Sequence, residues 1–411
     1  MKLIIFYLLL LTPSAFYAQE VQKIRIDPAQ AFGGTVSEYF DSIEYILLET
    51  TKESLFGDIN QMVITDRNIV IYDIDTRTVL FFTIHGKYIR KVSVKNAEYL
   101  FLSYNKDGNI NISMALKNDK GSNLVEHIYS TKGLKIEQTN SFSSKDGLVE
   151  IDNDHFLGFS SCRFSKSQNP KDSTYYLLNI YKGDNIYKSF LPYNQKRQAG
   201  FCRIGGVMNM NPRSLRIFDK SVYISTPYEH LVYKVTKDTA IKMFQFIFPA
   251  KRSISSDILN SDNLQLIDSV EQQVSRNDIG IINNVINIGY HENKLLFKIV
   301  PQKYIQTLGS TSTRQYNFMY DPVSTKLVSM ERLTPDTQNF FLPIIGNGTM
   351  VTFDGLYFYK GVFYTPISSL SMFEAYEQNK FRNPQYPISL QEYFKTQNSK
   401  SNPVIVKMKL K

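Results

Sequence analysis

Tryptophan is absent from all 411 residues, which argues against any repeat built on a recurring Trp. Only two cysteines occur, Cys162 and Cys202, too few for a cysteine-rich zinc site. The five histidines, His85, His127, His155, His230 and His291, show no H-E-x-x-H spacing that would put two imidazoles on one helix face. No G-x-S-x-G elbow and no phosphate-cradling glycine loop is present. No run beyond the N-terminus approaches the roughly 18 apolar residues a membrane span needs, so no span is expected. These gaps exclude the commonest metal, nucleophile and nucleotide signatures.

What is present points to β-structure. The chain holds 27 Tyr and 28 Phe, both strand formers, within an ordinary globular composition of 43% hydrophobic and 21% charged residues. Its net charge of +9 is spread along the chain, as in Lys87, Arg90 and Lys91, which alternate with apolar neighbours. Such charge reads as a solvated surface, and no nucleic-acid partner is expected. The first residues read as an export signal: Lys2 supplies the positive region and Leu3–Leu11 a short apolar run. Small residues Ser14, Ala15 and Ala18 follow, with cleavage expected after Ala18 or, second, after Ala15. No Cys near the site offers a lipid anchor. Residues 1–18 are therefore taken as signal peptide and 19–411 as one domain in the periplasm or outside the cell.

A recurring unit runs through that domain: two short strands, a loop, two more strands. Asn60–Thr65, Ile69–Tyr72, Val79–Thr83 and Tyr88–Val94 form the first, with turns at Asp66-Arg67-Asn68 and His85-Gly86. The pattern returns over Tyr99–Thr139, Leu148–Tyr193, Ser214–Phe248 and Val285–Leu333. Repeated four-stranded meanders over this length predict an all-β, six-bladed β-propeller. The sixth blade is read as inner strands from Phe340–Thr365 and the terminal strand Val404–Leu410. Pairing Ile43–Glu49 beside that last strand would close the ring and remove open edges. Ser256–Val274 reads as a helical insertion, and Ser368–Glu377 and Ser389–Thr396 as helices in a second one.

These segments resemble a known group. Glu44–Thr50, Ile69–Asp73 with Gly86–Arg90, Val222–Tyr228 with Val232–Val235, and the ending Asn402–Lys411 are similar to exported six-bladed β-propeller proteins of Bacteroidota, mostly of unknown function. The resemblance implies fold and export, and no reaction. A Gly-Pro-Gly-Glu-Tyr element frequent in that family is Val94-Lys-Asn-Ala-Glu-Tyr99 here, without the glycines.

A propeller scaffold does not fix an activity, so function must be argued from a site. In each blade the loops between the second and third strands, and the linkers between blades, emerge on one face. That face is expected to carry Asp75 and Arg77 from blade 1, and Cys162, Arg163 and Lys166 from blade 3. It also takes Lys196, Arg197, Cys202, Arg203 and Arg213 from the following linker, and Tyr228, Glu229 and His230 from blade 4. Arg163, Arg203, Arg213, Tyr228 and His230 are the expected ligand-binding set, a basic sector suited to an anionic or carbohydrate-like ligand. Cys162 and Cys202 are expected in neighbouring loops, where export permits a disulfide. Asp73 and Asp75 read as polar-loop residues. The expectation is a monomeric, non-enzymatic binding propeller for a small molecule, glycan or protein, with no cofactor and no metal site. The alternative is a calcium-dependent lactonase- or lyase-type enzyme, whose carboxylates and amides would converge on the channel.

Overall fold

Short apolar runs closed by Asx and glycine turns fold as hairpins, and the hairpins pair into six antiparallel sheets. The computed structural model describes residues 21–57, 59–105, 107–118, 121–139, 149–152, 154–159, 175–193, 217–218, 221–275, 280–291, 293–305, 310–312, 316–346 and 356–411. Blade 1 consists of Gln61–Ile64, Asn68–Asp73, Thr78–Thr83 and Tyr88–Ser93, running from channel to rim. Blade 2 follows with Ala97–Tyr104, Ile110–Asn118, Gly121–Tyr129 and Lys135–Thr139. Blade 3 is Val149–Asp152, His155–Phe159, Tyr175–Lys182 and Asn185–Tyr193. Blade 4 is Ile217–Phe218, Ser221–Ser225, Leu231–Val235 and Ala240–Ile247. Blade 5 is Ile281–His291, Lys294–Ile305, Tyr316–Asp321 and Lys326–Thr334.

Blade 6 closes the ring with both parts of the chain. Tyr357–Tyr359 and Val362–Ile367 are followed by Val404–Leu410, which pairs antiparallel with Phe40–Leu47. The register sets Ile405 opposite Ile46 and Met408 opposite Ile43. The neighbouring hairpin of blade 1 seals the joint: Glu49 N donates to Gly86 O at 2.9 Å. Gly86 has φ +83, and a Cβ there would lie 2.2 Å from Leu47 O, so the turn needs glycine on both counts.

Apolar side chains sit mainly between blades, because neighbouring sheets pack face to face. Clusters join blades 1 and 2 (Phe81, Ile110, Ile112), 3 and 4 (Leu157, Ile180, Val222), and 4 and 5 (Phe246, Phe297, Phe318). Others join blades 5 and 6 (Met319, Phe363, Val406) and 6 and 1 (Ile69, Phe82, Ile405). Burying side chains of this size stabilises by roughly 1.5–3 kcal/mol each, so the ring is held by its seams.

Two features depart from the sequence reading. An N-terminal arm adds a fifth, parallel strand to two rims: Gln22–Arg25 beside Ala240–Ile247, and Phe32–Thr35 beside Lys326–Thr334. Arg332 secures it through Ala31 O and through Ala29 O at 3.2 Å, and Ile24 and Ile26 enter the seam of blades 4 and 5. The stretch from Phe340, expected as an inner strand, begins as a linker. Asp336 caps a 3-10 turn at Thr337–Asn339, and Leu342 and Ile344 fill the seam of blades 5 and 6. The inserted helices are Ser256–Leu259 and Leu264–Ser275 before blade 5, and Ser369–Asn379 and Ile388–Thr396 within blade 6; a single helical turn, Val36–Tyr39, precedes the outer strand of blade 6. The first pair is split because Asn260 Nδ2 bonds back to Ser256 O, and Asn263 Oδ1 then accepts Leu266 N to start anew.

Candidate functional site

Antiparallel pairing places the loops between second and third strands, the linkers and the helices of residues 256–275 and 369–396 on one face of the ring. Arg163, Lys166, Lys196, Arg197, Arg203 and Arg213 lie outside the described residues, as do Cys162 and Cys202. Tyr228 and His230 are on that face, in the loop Thr226–His230 of blade 4, and both are buried. The loop is tight: His230 N donates to Thr226 O at 2.9 Å and Tyr228 N to Asn283 O of blade 5 at 2.8 Å. Both residues take left-handed backbone angles, φ 58 and φ 52. Leu259 and Val274 of the helical insertion cover Tyr228, and burial pushes its hydroxyl up to about 12. His230 is 3% exposed, stands edge-on to Phe248 at 4.8 Å, and has no hydrogen-bond partner at either ring nitrogen. Burial pushes its pKa down to about 3. These two side chains therefore wedge blades 4 and 5 together, and their rings are not offered to solvent.

The blade 1 loop is equally built from within. Buried Asp73 accepts hydrogen bonds from Gly57 N at 3.3 Å, Asp75 N at 3.1 Å and Thr76 Oγ1 at 2.6 Å. Arg77, at φ 51, donates from Nη1 to Lys95 O at 3.0 Å and so ties that loop to the linker entering blade 2.

That linker leads to the most open aromatic surface on any described inner strand. In Ala97–Tyr104, Leu100 and Leu102 turn into the seam with blade 1. The odd-numbered residues then take the opposite face, where Tyr99 is 69% and Phe101 43% exposed. Gln61 of blade 1 fixes this parity by treating the strand as a ladder partner: its Nε2 donates to Leu100 O at 2.7 Å and its Oε1 accepts Leu102 N at 3.0 Å. A bulge between Ala97 and Tyr99 turns the strand just before Tyr99. Lys95, four positions earlier, is exposed. Strand direction puts Tyr99 toward the long-loop face and Tyr104 at the other end.

At that other end three hairpins are bolted together. Tyr104 of blade 2 meets Tyr359 of blade 6 edge-on at 6.1 Å, across the front of blade 1. Tyr359 OH donates to Asp66 Oδ1 at 3.1 Å, and Lys360 Nζ bonds both Asp66 oxygens at 2.7 Å. Lys360 and Tyr359 hold the Asp66 carboxyl below its usual range, while burial and that carboxylate push the Tyr359 phenol up to about 12. A comparable tie joins blades 3 and 4, where Tyr187 OH donates to Asp238 Oδ1 at 3.0 Å. Beside it the His155 imidazole, 2.7 Å away, draws Asp152 down to about 2.

Sequence reading missed the aromatic wall because Tyr99-Leu-Phe-Leu is apolar at every position, and no alternation marks which residues leave the core. Among the described residues no group of three or more His, Cys, Asp or Glu gathers as a metal site. Among them, too, no helix is long and apolar enough to cross a membrane.

Known proteins bear on the fold. A Bacteroides fragilis protein named as an exported protein superposes with a TM-score of 0.60 at 12% identity, over 95% of this chain and 100% of that one. A Bacteroides thetaiotaomicron protein of unknown function matches at 11% identity and TM-score 0.36, over 93% and 75%. An acylaminoacyl peptidase of Pyrococcus horikoshii matches at 9% and 0.31, over 78% and 43%. At such identities the first likeness speaks for the fold alone, and the other two carry no argument. No curated protein matches the chain. The family model described as "6-bladed beta-propeller" matches residues 18–283, and the chain belongs to that family.

Proposed function

We propose that the chain is an exported, non-enzymatic binding propeller whose ligand lies in the channel against the inner strand of blade 2. The observation that carries this reading is Tyr99, 69% exposed on a strand whose other face is locked into a seam. An exposed ring held on a rigid strand binds without a large ordering cost, and a carbohydrate-like ligand can lay its C–H face on it. The Tyr104–Tyr359 contact narrows the far end near blade 1, which favours entry from the long-loop face. Export agrees with the leader reading of residues 1–18 and with the name of the Bacteroides fragilis protein. Arg163, Arg203 and Arg213 are proposed to add a basic sector on the entry face, and the protein is proposed to act as a monomer without cofactor.

A thermal-shift screen of neutral and acidic oligosaccharides, with calcium and with chelator, tests this. A rise in unfolding temperature that is indifferent to calcium, with the sugar recovered intact, is expected. A shift that requires calcium and is accompanied by cleaved or ring-opened product would replace the binding reading with the enzyme alternative.

A further inference from the structure

We infer that Asn402 is a positioning residue for the Tyr99 site: it holds the loop of residues 49–57, from which two tethers run to the Tyr99 strand, and through it the helical insertion of blade 6 bears on the site. This deepens the channel-binding reading and rests on it. The loop lies outside the blade ladders, so its backbone groups need partners from side chains. Asn402, 1% exposed, supplies three of them. Its Nδ2 donates to Glu49 O at 2.9 Å and to Ser54 O at 3.0 Å, and its Oδ1 accepts Phe56 N at 3.2 Å. A side-chain amide carries two donors beside an acceptor, so an aliphatic replacement leaves loop groups unpaired. The helices reach the same residue from the other side: Tyr393 OH donates to Ser369 Oγ at 2.8 Å, and Ser369 Oγ donates to Asn402 O at 2.6 Å.

Two tethers lead from this loop to the strand of Tyr99. In the first, Gly57 N donates to Asp73 Oδ2, and Asp73 gathers the turn that ends at Arg77. Arg77 grips the linker before Tyr99 twice, its O accepting Val94 N at 2.9 Å and its Nη1 donating to Lys95 O at 3.0 Å. In the second, Asn60 N donates to Tyr72 O at 2.9 Å and brings in Gln61, whose side chain bonds Leu100 O and Leu102 N. Tyr99 is therefore fixed on both sides while its own ring stays open to solvent. The bulge between Ala97 and Tyr99 lies between the two holds, so slack in either changes the local twist at Tyr99.

Acrylamide quenching of full mature chains that carry one indole tests this without any ligand. Tyr99→Trp reports the site, and Tyr290→Trp, on the inner strand of blade 5 and 44% exposed, reports the ring elsewhere. Each is combined in turn with Asn402→Ala, Ser369→Ala and Arg77→Asn. Arg77 is exposed, and Asn tolerates its left-handed angle while removing the bond to Lys95 O. Quenching of the Tyr99→Trp indole is expected to rise about twofold in all three combinations, with the Tyr290→Trp indole unchanged. The answer does not depend on Asn402→Ala folding, because Ser369→Ala and Arg77→Asn cut the route on either side of it. Unchanged quenching at position 99, or a rise at both reporters that marks general loosening, would overturn the inference. A rise with Arg77→Asn alone would overturn it as well, because the route would then stop short of Asn402. The reading beneath is tested separately by repeating the thermal-shift screen on Tyr99→Ala: an undiminished rise in unfolding temperature would overturn the channel site, and with it the role of Asn402 there, whatever the quenching shows.

Discussion

His230 illustrates how far one side chain can be from the role its position suggests. It sits on the long-loop face, where histidine commonly meets solvent, yet its ring lies between Phe248 and the seam of blades 4 and 5. The residues that cover this loop arrive only with the helices after Ser256, so local sequence around Tyr228 gives no hint of burial. The buried imidazole makes stability depend on pH in a defined direction. Its folded pKa of about 3 lies below the ordinary 6.5, so the unfolded chain binds a proton that the folded chain refuses. The stabilisation is fully present above pH 6.5 and is lost as pH falls toward 3, by up to about 1.4 kcal/mol per pH unit. His230→Asn keeps a residue tolerant of the left-handed angle and removes the titration. Urea unfolding of both proteins from pH 7 to 4.5 should show the wild-type advantage shrinking steadily with acid. A constant difference across that range would mean the imidazole is solvated in the folded state.

Among the elements, the blade strands were readable and the arm was not. Turns such as Asp66-Arg67 and His85-Gly86 punctuate alternating runs, so hairpins declare themselves locally. Gln22-Lys-Ile-Arg25 has one apolar residue, and Phe32-Gly-Gly-Thr35 carries two glycines. Each becomes a strand only because a distant rim offers unpaired backbone, a parallel pairing that leaves no periodicity in the sequence. The terminal strand is the opposite case. Val404–Leu410 alternates clearly and is nearly all buried, pairing on both sides within blade 6. Removing residues 403–411 should unpair Phe40–Leu47 and Val362–Ile367 together and expose the seam with blade 1. The expected product is insoluble or cut rapidly by protease, whereas a soluble chain with the wild-type unfolding midpoint would show that the ring does not depend on this closure.

At the level of the whole molecule, the count of blades and the closed ring were legible because the repeat occurs five times with the same turn chemistry and separated segments complete a sixth blade. The proposed binding surface was not, since the exposure of Tyr99 depends on how the inner strand of blade 2 is set in the ring. Cys162 and Cys202 belong to this scale as well: they lie outside the described residues, and the sequence reading proposes that their loops are neighbours on the entry face, where export would allow them to join. Closing a loop of that length is worth roughly 3–4 kcal/mol in the chain-entropy model. Peptide mapping under non-reducing conditions should recover one Cys162–Cys202 bridge, and two freely alkylated thiols in folded protein would end the idea.

The absence of tryptophan gives a direct way to watch the channel. Tyr99→Trp or Phe101→Trp places the only indole of the protein on the blade 2 wall, where its emission reports solvent contact alone. Titration with the oligosaccharide that raises the unfolding temperature in the thermal-shift screen should shift that emission to the blue, saturate, and do so equally with calcium or chelator. An emission spectrum at either position that stays unchanged while the same sugar still raises the unfolding temperature would place the ligand elsewhere and contradict the channel site.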